Sequence, residues 1–463
     1  IMTKSAEKLY MSYAVKNSEG AALMPSYIIR SMRKMFSHCL KLSYKDTAQQ
    51  NSYVTIPRAA NSFDNTEIAA NVDEDIIDSL TGGRLVGSVT SFENFAECPL
   101  RYYLRYGVDL KEREEFTFSP VNFGVVLHAV IREVCDEIKK NGESYYLISE
   151  EKRREMVKRS VAAITDIYQN SILKDSSRNS FMIKRMEDLA DRTVWAMGEQ
   201  LKCGDFVPFV FEHKFNMEVG DGDRKQLMSG TIDRVDICEN GTDVYVRIID
   251  YKTGKKDFNI VKTYYGIDIQ LMVYMEAAMK LVAKMRPGKN VIPAGVFYYN
   301  ISDPIVSATT ESAEEIEDKI KGELRLKGMV NSDKDIAEKM DNTEGTSLNI
   351  PVSRKADGGF DSRRSKVMNT EQFNMLGRFV DVRAIDTADR IAGGDIRRSP
   401  YKDGQFSSCD RCPYGAVCGF SVDLPGCNYR KLKKFDDEVL WNNIKEGVDE
   451  NGKKMDTGAE ERD

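Results

Sequence analysis

Asp233 and the pair Asp250 and Lys252 are delivered by two successive apolar runs joined by the turn-forming residues Glu239-Asn240-Gly241-Thr242. The runs, 226–238 and 244–251, read as the strands of a β-hairpin. Side chains two apart on a strand share a face, so Asp250 and Lys252 point the same way, about 6.5 Å apart along the backbone, while Tyr251 points away. With the turn centred near Gly241, Asp233 falls opposite or diagonally opposite Asp250, within about 4.5 to 8 Å. Two carboxylates so close repel unless a cation lies between them, and a hard ion such as Mg²⁺ takes oxygen ligands while leaving room for water and a phosphate. A neighbouring ammonium then orients the attacking water and offsets charge on the phosphoryl oxygens. The bland alternative is a surface hairpin with a chance Asp/Lys pair. The apolar run that ends at Asp250 weighs against it.

The nine cysteines form a second group. An odd number in a long chain argues against a disulfide framework. Cys39, Cys135, Cys203, Cys238 and Cys427 are scattered and read as reduced, partly buried residues. Cys409, Cys412 and Cys418 differ, because one compact loop presents three thiolates to a single metal centre and a fourth ligand must come from elsewhere. Thiolates suit zinc and iron–sulfur clusters alike.

Several elements must position these groups. Residues 119–140 carry the apolar stripe Phe123, Leu127, Ile131, Val134 and Ile138, which marks an amphipathic helix with His128 beside the stripe and Gly124 one turn earlier. Thr90 or Ser91 is expected to cap a helix leading to Cys98-Pro99-Leu-Arg-Tyr102-Tyr103. Two helical patterns, 150–173 and 180–202, read as a helical insertion spanning 149–204. Residues 206–219 return to strand character. There Glu212 is an auxiliary acid outside the first shell, and His213 is expected to pack inward with Phe211 and Phe215. The loop Thr253-Gly-Lys255-Lys256 concentrates lysines that suit a DNA backbone. Residues 268–283 form a helix with Gln270 and Tyr274 one turn apart, and 291–300 a further strand. The polar stretch 331–370 reads as a mobile excursion, 371–393 as a helix, and 431–463 as a charged tail that is disordered from 453.

In order and spacing, Gly124-Val-Val-Leu-His128, Gly230-Thr-Ile-Asp233-Arg234, Asp250-Tyr-Lys252 and Gln270-Leu-Met-Val-Tyr274 resemble the motifs of the RecB-like branch of the PD-(D/E)xK nucleases. The resemblance implies an α/β fold with a mixed central sheet flanked by helices. It also implies Mg²⁺ bound at His128, Asp233 and Asp250, with Lys252, Gln270 and Tyr274 completing the catalytic set. Cys98-Pro-x-x-Tyr-Tyr upstream and Cys409-x-x-Cys412-Pro-x-x-x-x-Cys418 downstream are similar to the iron–sulfur members, which implies a [4Fe–4S] cluster on Cys98, Cys409, Cys412 and Cys418 and leaves Cys427 free. Such a staple removes about 5 to 6 kcal/mol of unfolded-chain entropy, comparable to a domain's net stability. The words LYMSYA and EGAALMPSYIIRSMRKMF near the start resemble the B subunits of bacterial ATP-dependent helicase/deoxyribonucleases, which implies a C-terminal fragment, an AddA-like helicase–nuclease partner and a role at DNA ends in recombinational repair.

Composition permits this. The chain has 463 residues, 41% hydrophobic and 30% charged, enough for two or three domains. A formal net charge of −6 requires that any DNA contact come from local basic patches or a partner. Apolar runs are strand-length and the first residues lack a signal peptide, so a cytoplasmic protein without a membrane span is expected. No G-x-x-x-x-G-K-[ST] occurs, so ATP hydrolysis is not expected of this chain alone. The expected division is a helicase-like remnant and connection at 1–83, containing a short helix at 73–80, then a nuclease domain at 84–430 and the tail. Two alternatives are a stand-alone exonuclease with a cluster, against which the N-terminal words count, and a DNA-binding scaffold without catalysis, against which Asp233, Asp250 and Lys252 count together.

Overall fold

The structure, a computed structural model, describes residues 24, 71–73, 76, 86–111, 120–167, 177–219, 226–307, 312–423 and 427–460. The chain divides into two compact units, 1–64 and 65–463, and apart from Met24 the described residues all belong to the second. The N-terminal words of the sequence and most of the expected 73–80 helix lie outside the described residues.

Strand β1 (Val86–Ser88) runs into helix α1 (Val89–Glu97). The cap is Ser88, whose Oγ accepts the Ser91 N–H at 3.1 Å, so Thr90 and Ser91 lie inside the helix and not at its cap. A short α2 (Pro99–Tyr102) and a π turn (Tyr103–Gly107) follow, then α3 (Pro120–Lys140), α4 (Glu150–Ile167) and α5 (Ser177–Lys202). Next come β2 (Val207–Val219), β3 (Gln226–Asn240), β4 (Asp243–Lys252), α6 (Ile260–Tyr264), α7 (Gln270–Met285) and β5 (Asn290–Asn300). The chain continues through α8 (Ala313–Glu323), β6 (Lys327–Asn331), α9 (Lys334–Met340), β7 (Val367–Met368) and α10 (Thr370–Ala392). It ends with β8 (Tyr401–Asp403), β9 (Phe406–Ser407), α11 (Gly415–Cys418), β10 (Arg430–Lys431) and α12 (Asp437–Glu460).

Strands β1 to β7 form one mixed sheet. β2, β3 and β4 are successively antiparallel, β4 and β5 parallel, β5 and β6 antiparallel. Alternation along each strand feeds two cores. Leu127, Ile131, Val134 and Ile138 of α3 pack with Met156 and Val161 of α4, Met186 and Val194 of α5, and Tyr245, Ile249 and Tyr251 of β4 on one face. Ile232, Val235, Val246 and Ile248 meet Leu271 and Ala278 of α7, and Phe373 and Val380 of α10, on the other. The helical insertion is therefore part of the main core.

Two regions differ from the sequence expectation. Residues 331–370 form a packed segment held by a buried carboxylate: Asp341 accepts the Thr343 N–H at 2.8 Å, the Ser347 hydroxyl at 2.7 Å and the Asn349 amide at 3.2 Å. The polar residues that looked solvated hydrogen-bond to one another. The expected tail contains α12, because Leu440, Trp441, Ile444 and Val448 form a stripe at helical spacing that packs on the α10 face, with Leu440 and Ile444 buried.

Candidate active site

The sheet forks at β3. One edge of β3 pairs with β2 from 226 to 237, while the other pairs with β1 at Leu227–Ser229 and with β4 only from Arg234 onward. Residues 230–233 therefore face the opening between β1 and β4. The register Arg234↔Ile249 makes Asp233 and Asp250 the next positions, where the ladder stops. Gly230 is required here, because a Cβ would lie 2.7 Å from the Phe215 ring and 3.0 Å from the Tyr274 ring.

At the fork the Asp233 carboxylate accepts the Tyr251 N–H at 2.6 Å, bridging the separated strands. His128 comes down from α3, with Nδ1 3.4 Å from Asp233 and 3.6 Å from Glu212. These three residues place one ligand atom each within 4.8 Å of one another and, among the described residues, are the set whose atoms could converge on one metal ion. Burial works against the imidazolium, but hydrogen bonds and charge from Asp233 and Glu212 outweigh it and hold His128 up to about 10.

Glu212 thus stands within the group that sequence reasoning placed it outside. It occupies a positive φ of 47°, between the pairs Phe211↔Arg234 and His213↔Ile232, directly across from Asp233. A non-glycine residue in that conformation is strained and is found where the surroundings impose it. The same break spoils the alternation: Phe211 packs on the α3 side, Phe215 on the α7 side, and His213 is half-buried instead of packed inward. No spacing in the chain signals Glu212. Only the β2/β3 register does.

Asp250 is 3% exposed and sits just outside the triad. Its Oδ1 accepts the Gln270 amide at 3.1 Å, and that amide also donates to the Tyr274 hydroxyl at 2.9 Å, so Gln270 and Tyr274 do reach the same place from α7. Lys252 pairs with the buried Oδ2 of Asp250. Burial, reinforced by Asp233, raises Asp250 to about 7. A deeply placed carboxylate beside three further ligand atoms fits a cation.

Gly124 is not a tight approach: a Cβ there would meet Thr253 at an ordinary 3.5 Å. Lys256, expected with Lys255 on a loop suited to a DNA backbone, turns inward to Asp268 at 3.0 Å. Glu93 of α1 accepts the N–H groups of Ile269 and Gln270 at 3.0 and 3.1 Å and so anchors the start of α7.

Cys98, between α1 and α2, comes close to Cys409, Cys412 and Cys418, and none is in a disulfide. Burial raises Cys98, opposed by backbone N–H groups of Arg101, Ser399 and Leu100, and raises Cys418, opposed by that of Phe420. N–H groups aimed at sulfur suit thiolates that carry charge in a bound centre. Among the described residues no three of these thiols lie within 4.8 Å of one another. Tyr414 to the Leu110 carbonyl at 2.9 Å and Arg430 to that of Ala96 bind the two segments directly, and Arg398 donates to the Cys418 carbonyl at 3.1 Å within the downstream one. Among the described residues no helix is long and apolar enough to cross a membrane.

The chain is 31% identical, over its whole length, to the B subunit of the ATP-dependent helicase/deoxyribonuclease of Caldanaerobacter subterraneus subsp. tengcongensis, of which it covers 44%. It is 30% identical to the proteins of the same name from Clostridium acetobutylicum and Lachnoclostridium phytofermentans, covering 97% and 99% of this chain and 44% of each relative. The chain thus spans less than half the length of these relatives. The family model for the PD-(D/E)XK nuclease superfamily matches residues 87–419, from the first strand of the forked sheet to the last cysteine of the loop. With that match over most of its length and the Asp and Asp-x-Lys strands set at the fork, the chain belongs to the PD-(D/E)XK nuclease superfamily.

Proposed function

We propose that this chain hydrolyses DNA phosphodiesters with Mg²⁺, as the exonuclease part of a cytoplasmic helicase–nuclease that pairs with an AddA-like subunit and processes double-strand ends for recombinational repair. The observation that carries the reading is the convergence of His128, Glu212 and Asp233 at the fork, with the Asp250–Lys252 pair alongside. His128 and the carboxylates would hold the ion, which when bound polarises a phosphate and activates water. Lys252, 27% exposed and in line with Asp250, reaches the opening and counters charge on the scissile phosphate. Gln270 and Tyr274 hold Asp250 in place from α7. Tyr251, whose N–H binds Asp233, locks the strand ends together. Cys98, Cys409, Cys412 and Cys418 would hold a [4Fe–4S] cluster whose role is to clamp the two ends of the nuclease domain.

The test is a Mg²⁺-dependent cleavage assay on labelled duplex DNA with wild type and Asp250→Ala. The variant is expected to fold and to lose cleavage, because the carboxylate is a ligand and not packing. Wild-type rates from Asp250→Ala would refute the assignment.

A further inference from the structure

The opening at the fork has two banks, and among the described residues no β-ladder joins β1 to β4 across it. On one bank β1 leads directly into α1; on the other β4 carries Asp250, with α7 packed beside it. Helix α7 begins with N–H groups that have no partner inside the helix, and its own N-cap residue, Ile269, has no side chain that accepts a hydrogen bond. The cap comes from the other bank. Glu93, on the second turn of α1, accepts the N–H of Ile269 at 3.0 Å and that of Gln270 at 3.1 Å through its Oε1. The side-chain amide of the same Gln270 donates to Asp250 at 3.1 Å and to the Tyr274 hydroxyl at 2.9 Å. Helix α1 is a firm base for this, since Ser88 caps its start at 3.1 Å, Phe92 and Phe95 are buried, and Arg430 donates to the Ala96 carbonyl near its end.

We propose that Glu93 is a positioning residue for the cleavage reaction: by capping α7 from α1 it ties the two banks together and sets the place of Gln270 and, through it, of Asp250. The inference rests on the reading of the fork as a nuclease centre. What is required of Glu93 is acceptance of two N–H groups, so a neutral side chain that accepts equally well should serve. Without an acceptor the first turn of α7 loosens, and a shift of about 1 Å at a reacting group is enough to slow a reaction by about 100-fold.

The experiment compares wild type, Glu93→Leu and Glu93→Gln as the full chain, in Mg²⁺-dependent cleavage of labelled duplex DNA and in hydrogen exchange at the Ile269 and Gln270 amides read by mass spectrometry. Glu93→Leu is expected to lower kcat by about 10 to 100-fold with KM unchanged and to open both amides to exchange, while Glu93→Gln stays within about threefold of wild type and keeps the protection. Combined with Gln270→Ala, Glu93→Leu should slow cleavage no further than Gln270→Ala alone, because both changes act through one contact to Asp250. Equal losses in Glu93→Leu and Glu93→Gln, a loss carried by KM, losses that multiply in the double variant, or unchanged amide protection in Glu93→Leu overturns the proposal. Should Glu93→Leu fail to fold, Glu93→Ala is read in the same way. A wild type without Mg²⁺-dependent cleavage, or Asp250→Ala with wild-type rates, refutes the reading of the fork instead. The tie between α1 and α7 is then judged by exchange alone: protection lost in Glu93→Leu and kept in Glu93→Gln supports it, and equal protection overturns it.

Discussion

Uptake of a divalent ion at the fork must expel protons. His128 Nδ1 stands 3.4 Å from Asp233 and 3.6 Å from Glu212, and those carboxylates hold it up to about 10 against the effect of burial. Asp250 is raised to about 7 by burial and by Asp233. A metal needs the neutral imidazole and the ionised carboxylate. At pH 7 His128 is protonated and Asp250 partly so, so binding should release more than one proton, falling to about one near pH 8.5. The sign follows: acid favours the metal-free form, and affinity rises about tenfold per pH unit between roughly pH 8 and 9.5, and more steeply near pH 7. Calorimetry of Mn²⁺ binding in two buffers of different ionisation enthalpy measures the released protons. His128→Ala should abolish most of the release and lower the affinity. Wild-type affinity independent of pH from 7 to 9, or no proton release at pH 8, would refute the reasoning, because the imidazole would then be either already neutral or not a ligand.

Three further outcomes are expected. Asp236 is fully buried and accepts Arg234 twice at 2.7 Å and Arg247 at 2.9 Å, so Asp236→Asn should cost about 3 to 5 kcal/mol in denaturant unfolding by stranding two buried guanidiniums. Burial opposes ionisation of Asp236, but the two arginines hold it below the usual carboxylate range, so its contribution is present at neutral pH and lost as pH falls through that lowered value; unfolding midpoints that do not fall on acidification would contradict this. Gln270→Ala removes the donor to Asp250 and Tyr274, and the loss of a charge-assisted bond of about 1.5 to 3 kcal/mol should lower kcat/KM by roughly 10 to 150-fold, with an unchanged rate counting against its role. In anaerobic preparations Cys98→Ala should lose iron, visible colour and thermal stability while Cys427→Ala keeps all three, and stoichiometric zinc without iron in the wild type would rule out the cluster.

The hairpin, its register and the identity of Asp233, Asp250 and Lys252 were legible in the chain, because a period of two and a turn at Gly241 (φ 60°) determine which residues face each other without help from distant segments. Helix α3 was legible for the same kind of reason: its stripe is continuous and its interior is buried on one side. Glu212 was not, since its place depends on β2 lying beside β3 and on a local break in alternation that no propensity announces. Nor was Glu93, whose N–H donors lie 176 and 177 residues away. Polarity misled at 331–370 and at α12, where composition records how many charges a segment has and not whether they find partners. Lys256 shows the same limit. Its neighbours in the chain, Lys252 and Lys255, suggested a basic loop suited to a DNA backbone, whereas Asp268 and Asn300, brought there by α7 and β5, turn it inward. Local periodicity determined the elements and the residues they carry. Tertiary contact alone decided which acids meet at the fork and which cation lies beside them, because charges pair by distance in space and that distance is set by packing.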